Sequence, residues 1–494
     1  MAGLRIASSV FKYSRRAPIG AGVGVGCYAL ILLSGGQLLD DPDSHWHLFV
    51  GQQILATGSF PRADAYSHSF AGTPWIAKEW LSQVLMAGAY RLGGWLAVTA
   101  LMAAATGLAL AILARDLLVR LPPLFATALL GFALLCMVPH LLARPHVIAL
   151  PVMAAWFSML FRAAERGDSP PWRAVLLMAL WANLHGSFTF GLGFGGLVAV
   201  EAVARAEPGQ RWRVFGAWAA FGLVSLAAAC AHPYGLDSIM AAGRVLSLGE
   251  AKAVIGEWRP LDFSSFGLSQ ALLLGGIGAV LLSGLRVSLY HTFLLLLLLH
   301  LALTHQRHLT LLGLLAPLVV APALPRRQGD AATAPGAWGW AIAAGFLGWV
   351  GVTGLAVALG HDPKPAPRWM PEAALSAVRE AGVTGNVLND YDFGGYLIAR
   401  SIPTYIDGRA ELYGGRFVAA TVEAMELDDL ARLHTILDDP RIGWTLLAPS
   451  RAAVAYLDRL TGWRRLHADE VAVVHVRVPA VGDRGEGRSR ETAR

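Results

Sequence analysis

The stretch Asp40-Asp41-Pro42-Asp43-Ser44-His45-Trp46-His47 places three carboxylates and two imidazoles within eight residues, directly after the first long apolar run of the chain. Charge is costly in hydrocarbon, so groups at the end of such a run face water, a metal or a substrate. A carboxylate there can take a proton from an acceptor hydroxyl, and hard divalent cations such as Mg2+ or Mn2+ prefer oxygen ligands. Asp41 and Asp43 are therefore candidate bases and candidate metal ligands, with Asp40 a third candidate base. An aspartate ahead of an amphipathic helix is also an ordinary N-cap. His45 and His47 are two residues apart and point in different directions on a helix, so they are no i, i+4 metal pair; His47 is assigned to substrate binding.

Further along, Lys78-Glu79-Trp80 follows Gly72-Thr73-Pro74-Trp75. Lys78 can neutralise a phosphate and Glu79 can orient a substrate or metal, although a Lys-Glu pair is common at a membrane interface. Five polar clusters then sit at the ends of apolar runs: Arg144-Pro145-His146, Asn183-Leu184-His185-Gly186, His232-Pro233-Tyr234-Gly235, Glu257-Trp258-Arg259-Pro260 and His305-Gln306-Arg307-His308. Any one of them can be a snorkelling or capping group. Together they read as a site built from discontinuous segments at one membrane face. Arg144, His146, His185, Arg259 and Arg307 are the members assigned to substrate, with arginine suited to gripping phosphate oxygens bidentately.

The elements that position these groups are membrane spans. Of the 494 residues, 55% are hydrophobic and 15% charged, against roughly 25% charged in soluble domains. Apolar runs near 18–39, 95–114, 123–140, 146–161, 174–190, 189–204, 214–231, 266–285, 289–305, 309–325 and 337–360 predict about eleven spans. Arginines and lysines gather in alternate connections: Lys12, Arg15 and Arg16 first, then Arg115 and Arg120, Arg162 and Arg166, Arg205 and Arg211, Arg286, and Arg326 and Arg327. The positive-inside rule makes that face, and the N-terminus, cytoplasmic. The first apolar run ends directly in Asp40 with no small-residue cleavage site, so it reads as a retained helix. The net charge of +6 is thus spent on topology, with no nucleic-acid-binding pattern. Cys27, Cys136 and Cys230 lie inside apolar segments and form no disulfide framework.

The opposite face collects loop 40–80 and everything after about residue 360. Within the loop, Trp46, Phe49, Val50, Ile54 and Leu55 recur at helical spacing up to Gly58, and residues 79–90 form a second amphipathic piece. Two helices along the membrane surface are expected. Residues 1–360 make up the membrane part. Residues 361–480 alternate strand-like runs (385–389, 395–399, 403–406, 443–448, 471–477) with helical ones (371–381, 418–437, 450–461), which predicts a small extracytoplasmic α/β domain. Residues 481–494 read as a disordered tail. Asp407-Gly408-Arg409-Ala410-Glu411 carries more charge than a turn needs. Asp407, Arg409 and Glu411 are candidates to contact an acceptor or to form an internal ion pair. The chain contains no GxxxxGKS or GxxxxGKT loop, HExxH, CxxCH or nucleophile elbow, which leaves ATP-driven transport and zinc proteolysis without support.

An acidic motif after the first span, a long loop with two helices, about eleven spans and a C-terminal outer domain resemble the GT-C glycosyltransferases. More narrowly, the chain is similar to the RgtA/B/C/D-like or ArnT-like bacterial membrane group. The resemblance rests on Asp41-Pro42-Asp43 with Trp46-His47-Leu48, Gly51 to Gly58-Ser59-Phe60-Pro61, and Gly72-Thr73-Pro74-Trp75 to Glu79-Trp80-Leu81. It rests equally on Arg144-Pro145-His146, Trp181 to Gly186, and Asp407 to Tyr413. It implies an enzyme of the bacterial inner membrane. The reaction implied is transfer of a sugar from a polyprenyl-phosphate donor to an extracytoplasmic glycan, lipid or protein acceptor. A first-loop aspartate would be the base, basic residues would hold the leaving phosphate, and the anomeric carbon would invert. The base is open among Asp40, Asp41 and Asp43, with Asp41 ahead of Asp43. The Glu-Lys-Pro-Pro typical of the ArnT-like loop is present only as a reversed Lys78-Glu79-Trp80. Tyr391-Asp392-Phe393-Gly394-Gly395-Tyr396 faintly resembles the WWDYG motif of oligosaccharyltransferases, beside the plainer reading of a strand and turn on two glycines. The competing functions are a transporter or flippase for lipid-linked glycans, which calls for polar groups near the bilayer midplane, and a scaffold in envelope polysaccharide assembly.

Overall fold

The computed structural model describes residues 16–246, 249, 255–326 and 337–478; the expected tail, 481–494, lies outside the described residues. Helix α1 (Arg16–Leu33) leads through the aspartates into α2 (Ser44–Thr57). Gly58 ends α2 in the left-handed conformation, φ 65°, its N–H donating to Ile54 O. An irregular stretch follows, and then α3 (Trp80–Arg120), in which the second expected loop helix and the second apolar run are one element. A bend at Gly93–Gly94, with Gly94 at φ 60°, joins the two halves. The helices α4 (Pro123–Met137) and α5 (Pro145–Arg166) each begin on a proline at the first turn, where the missing N–H costs nothing. After them come α6 (Ala174–Leu184), α7 (Phe188–Arg205), α8 (Arg211–Ala229), α9 (Asp237–Leu246), α10 (Leu268–Ser283), α11 (Leu289–Thr304), α12 (Leu309–Val320) and α13 (Ala337–Ala358).

Among the described residues, five helices are long and apolar enough to cross a membrane: Trp80–Arg120, Pro123–His140, Pro145–Arg166, Phe188–Arg205 and Pro208–Ala229. The other expected spans fall on shorter apolar helices, including α6, α10, α11 and α12. All twelve residues of α12 are buried, which places it in the interior of the bundle. The protein is a multi-pass membrane protein. The helices share one apolar core, which includes Leu32, Met102, Phe157, Trp181 and Leu315.

The C-terminal unit continues with α14 (Glu372–Glu380), β1 (Asn386–Asn389), α15 (Gly394–Ala399), α16 (Ala410–Tyr413), α17 (Gly415–Met425), α18 (Leu430–Leu437), β2 (Ile442–Leu447), α19 (Ala452–Leu457), β3 (Trp463–Ala468) and β4 (Val473–Arg477). The sheet order is β1-β2-β4-β3, parallel between β1 and β2 and antiparallel elsewhere. Alternate residues feed its two faces: Val387, Leu446 and Val474 pack with α14 and α15, while Leu388, Leu447 and Val473 pack with α17, α18 and α19. Two strand expectations are corrected. Residues 394–399 are helical, and 403–406 contributes only an isolated bridge, Ser67 to Thr404. The missed strand, β3, is the sheet edge, where Arg464 and Arg465 face solvent and hide the alternation.

The first loop does not lie apart from this unit. Trp46, Val50, Tyr66 and Trp75 share a core with Ile398, Ile406, Tyr413 and Val418. Helix α2 is therefore a buried strut between the bundle and the C-terminal unit rather than an amphipathic helix lying on a surface. Its apolar positions find protein partners on both sides, and burying each large side chain contributes about 1.5–3 kcal/mol.

Candidate active site

A cavity of about 780 Å3 lies where the first loop, the ends of the bundle helices and the C-terminal unit meet. Its position follows from one backbone contact: Ala143 N–H donates to Leu38 O at 2.7 Å, which brings Arg144 beside the aspartates. Arg144 organises the floor of the cavity. Its Nε and Nη2 donate to Asp41 Oδ1 at 2.8 and 2.5 Å, Nη2 also lies 3.0 Å from Asp43 Oδ2, and Nη1 donates to Glu257 Oε2 at 2.9 Å. Glu257 reaches on to Arg307, whose Nη1 donates to Oε1 at 2.9 Å. The Arg307 guanidinium lies 4.4 Å from the centre of the Trp258 ring, a cation–π contact. Carboxylates and arginines from four separate segments thus form one continuous chain of ion pairs.

The aspartates part company here. Asp41 is fully buried and saturated: besides Arg144 it accepts from Ser44 Oγ at 3.0 Å and from the Asp43 N–H at 3.3 Å. Asp43 lines the cavity. Burial, with added repulsion from Asp41 and Glu257, pushes its carboxyl up to about 7 against the pull of Arg144. Glu257 goes the other way. Burial alone would raise it, but Arg307 and Arg144 draw it down to about 2. Asp40 lies outside the cavity, paired with Arg368 and accepting from Trp369 Nε1 at 2.9 Å.

The other predicted groups divide in the same way. His47, Lys78, Glu79, Arg144, His146, His185, Arg259, Arg307 and Glu411 all line the cavity. Lys78 Nζ is 2.5 Å from Glu411 Oε1, an ion pair between the first loop and the C-terminal unit. His185 Nδ1 accepts from the Ser187 N–H at 3.1 Å, which puts the proton on Nε2, 3.3 Å from Glu79 Oε1. His146 Nε2 donates to the His140 carbonyl at 2.9 Å. His47 Nδ1 accepts from Gln83 Nε2 at 3.1 Å, and burial holds this imidazole well below its ordinary value. Neutral imidazoles therefore share the wall with arginine and lysine. Asp407 and Arg409 lie away from the cavity. They form a buried triad with Asp64, in which Arg409 Nη1 is 2.6 Å from Asp64 Oδ1 and Nη2 is 2.7 Å from Asp407 Oδ2, all with no side-chain exposure. Of the five span-end clusters, His232 and Tyr234 brace the loop: His232 Nε2 donates to Lys78 O at 3.2 Å and Tyr234 OH to Pro61 O at 2.8 Å.

The donor set does not fit a divalent cation at Asp41 and Asp43. The Arg144 guanidinium already lies between the two carboxylates, and among the described residues no group of three His, Cys, Asp or Glu side chains is arranged to hold a metal. Several cavity residues were not legible as site residues in the sequence, Glu257, Tyr391 and Asp392 among them. Glu257 stood in a span-end cluster whose arginine alone was chosen. Tyr391 and Asp392 precede the glycine pair and line the cavity, and burial beside Asp390 raises Asp392 to about 6. Asp64 carried no local signal at all.

No family model matches the chain, and no curated protein matches it. Solved structures do. ArnT from Cupriavidus metallidurans, determined bound to undecaprenyl phosphate, matches with a TM-score of 0.50 at 13% identity, covering 92% of this chain and 98% of that one. The archaeal oligosaccharyltransferase AglB from Archaeoglobus fulgidus, determined with an inhibitory peptide and a dolichol-phosphate, matches with a TM-score of 0.51 at 10% identity, covering 87% of this chain and 69% of that one. At these identities the likeness shows the fold alone: over most of its length the chain is folded like ArnT and AglB.

Proposed function

We propose that this protein transfers a sugar from a polyprenyl-phosphate donor to a hydroxyl-bearing acceptor, at the extracytoplasmic face of a bacterial inner membrane. The observation that carries this reading is Asp43. It is a carboxylate at the cavity wall, held by Arg144 and poised to exchange a proton near neutral pH. In the proposed reaction Asp43 takes the acceptor O–H proton as that oxygen attacks the anomeric carbon. The bond between the anomeric carbon and the phosphate oxygen breaks on the opposite side, so the configuration inverts. The lipid phosphate leaves with the bonding electron pair. Arg307 and Lys78, with the N–H of His185, provide cationic and donor groups for it. Asp41 takes the role of a positioning residue that fixes Arg144, in place of the leading base that its motif position implied.

The fold likeness supports the same substrate class, because both matched structures were determined with a polyprenyl phosphate. The alternating arginine-rich connections support about eleven spans, with the N-terminus cytoplasmic and the C-terminal α/β unit outside. The guanidinium of Arg144 lies between the two aspartates, so the reaction is proposed to run without Mg2+ or Mn2+. The test is sugar release by purified protein from a panel of polyprenyl-phosphate and polyprenyl-pyrophosphate donors, with and without EDTA. Turnover from a monophosphate donor that EDTA leaves unchanged is expected. Binding of donors with no turnover across the panel would sink the enzyme reading, and EDTA inhibition reversed by Mg2+ would sink the metal-free one.

A further inference from the structure

Asp43 is confined from two sides. Arg144 meets one carboxylate oxygen at 3.0 Å. On the other side lies the backbone of Gly408, so close that a Cβ there would sit 1.9 Å from Asp43 Oδ1 and 2.7 Å from its Cγ. Gly408 has no positive φ. Space rather than backbone conformation therefore demands glycine here. Beside it, a Cβ on Gly395 would come within 2.2 Å of the Pro42 carbonyl. Two glycines of the C-terminal unit therefore press on consecutive residues of the acidic motif.

Gly408 cannot retreat, because both its neighbours are anchored. Asp407 accepts from Arg409 Nε at 2.8 Å, Thr404 Oγ1 at 2.9 Å and Tyr413 OH at 2.6 Å. Arg409 reaches across to Asp64 of the first loop, with its guanidinium 5.0 Å from the Tyr66 ring centre and 4.9 Å from that of Trp75. Asp64 is itself held by the N–H groups of Tyr66 and Ser67 at 3.0 and 3.2 Å. The triad, whose Asp407 and Arg409 read in the sequence as either an acceptor contact or an internal ion pair, is the rivet that sets the height of Gly408 above Asp43.

We propose that Gly408 is a positioning residue of the reaction: its bare backbone, riveted by Arg409, seats the Asp43 carboxylate against Arg144 and closes it to water on that side. The inference rests on the reading of Asp43 as the base. It makes the C-terminal unit a working wall of the active site, present in every turnover. A methyl group at 408 must push the carboxylate by more than about 1 Å to reach ordinary contact, and a misplacement of that size costs on the order of 100-fold in rate.

The experiment uses the full chain in detergent, as wild type, Gly408→Ala, Asp43→Ala and the double variant. Three quantities are read: affinity for undecaprenyl phosphate, kcat and KM with a donor that wild type turns over, and the melting temperature. Gly408→Ala is expected to lose about 100-fold in kcat with KM and undecaprenyl phosphate affinity close to wild type. It is expected to lower the melting temperature in the wild-type background and not in Asp43→Ala, where the methyl group has room. A kcat close to wild type overturns the proposal, as does an equal melting penalty in both backgrounds. If Asp43→Ala itself turns over normally, the base assignment fails, and the melting comparison still decides whether Gly408 seats the carboxylate.

Discussion

Replacing Asp43 by asparagine should make the protein more stable and far less active. The carboxyl is raised from an ordinary 3.8 to about 7, and at 1.36 kcal/mol per pKa unit its ionised form costs the fold on the order of 4 kcal/mol. The sign follows from proton linkage. The folded protein holds this proton more tightly than the unfolded chain, so stability falls as pH rises from about 4 to about 7 and stays low above that. Asparagine keeps the shape and removes the charge, while its amide pays its own desolvation. The variant should therefore gain on the order of 2–4 kcal/mol at pH 8, with a gap that shrinks by more than half by pH 5 as the wild-type carboxyl takes up its proton. The assay is thermal melting in detergent at pH 5 and pH 8, beside sugar release, which should drop by about 10²–10⁴-fold. A variant less stable than wild type at pH 8, or a gap that ignores pH, would refute the reasoning.

Other perturbations probe the frame. Arg409→Ala strands Asp64 and Asp407 as buried, unpaired carboxylates. A cost of about 3–5 kcal/mol follows, readable as a large drop in melting temperature or as early proteolysis within the C-terminal unit. Glu257→Gln releases both Arg144 and Arg307. Because the Glu257 carboxyl is held down to about 2, its contribution is complete above its ordinary 4.5 and lost as pH falls toward 2. The variant's melting deficit should accordingly be present at pH 7 and vanish in strong acid; a deficit that persists there contradicts the ion-pair account. Trp46→Ala empties the core between the first loop and the C-terminal unit, at about 3–5 kcal/mol, with melting as the readout.

Much of this organisation was legible in the amino-acid order, for identifiable reasons. Runs of apolar residues broken by arginine mark helices whatever their tertiary setting, and Gly58 stops α2 because only a residue tolerant of φ 65° fits there. Convergence of Arg144, His146, His185, Arg259 and Arg307 was readable because polar groups at span ends have few other places to go. What escaped was tertiary. Asp41 and Asp43 look alike in sequence. Only packing saturates Asp41 with Arg144 and Ser44 and leaves Asp43 on the cavity wall. The short run Gly394–Ala399 carries no period long enough to separate strand from helix. The loop helix α2 reads as a surface amphipath until Ile398, Ile406 and Val418, more than three hundred residues away, cover it. The choice for Arg409 between an acceptor contact and an internal ion pair stayed open in the sequence because nothing nearby in the chain announces Asp64 as its partner.

The most direct test is the pH dependence of sugar release by wild type at saturating donor and acceptor. A base at about 7 predicts a rate that climbs through neutral pH and levels above about pH 8, with that acid limb missing from whatever rate survives in Asp43→Asn. A wild-type rate flat from pH 5 to pH 8, or an acid limb that persists in the asparagine variant, would show that the proton goes elsewhere.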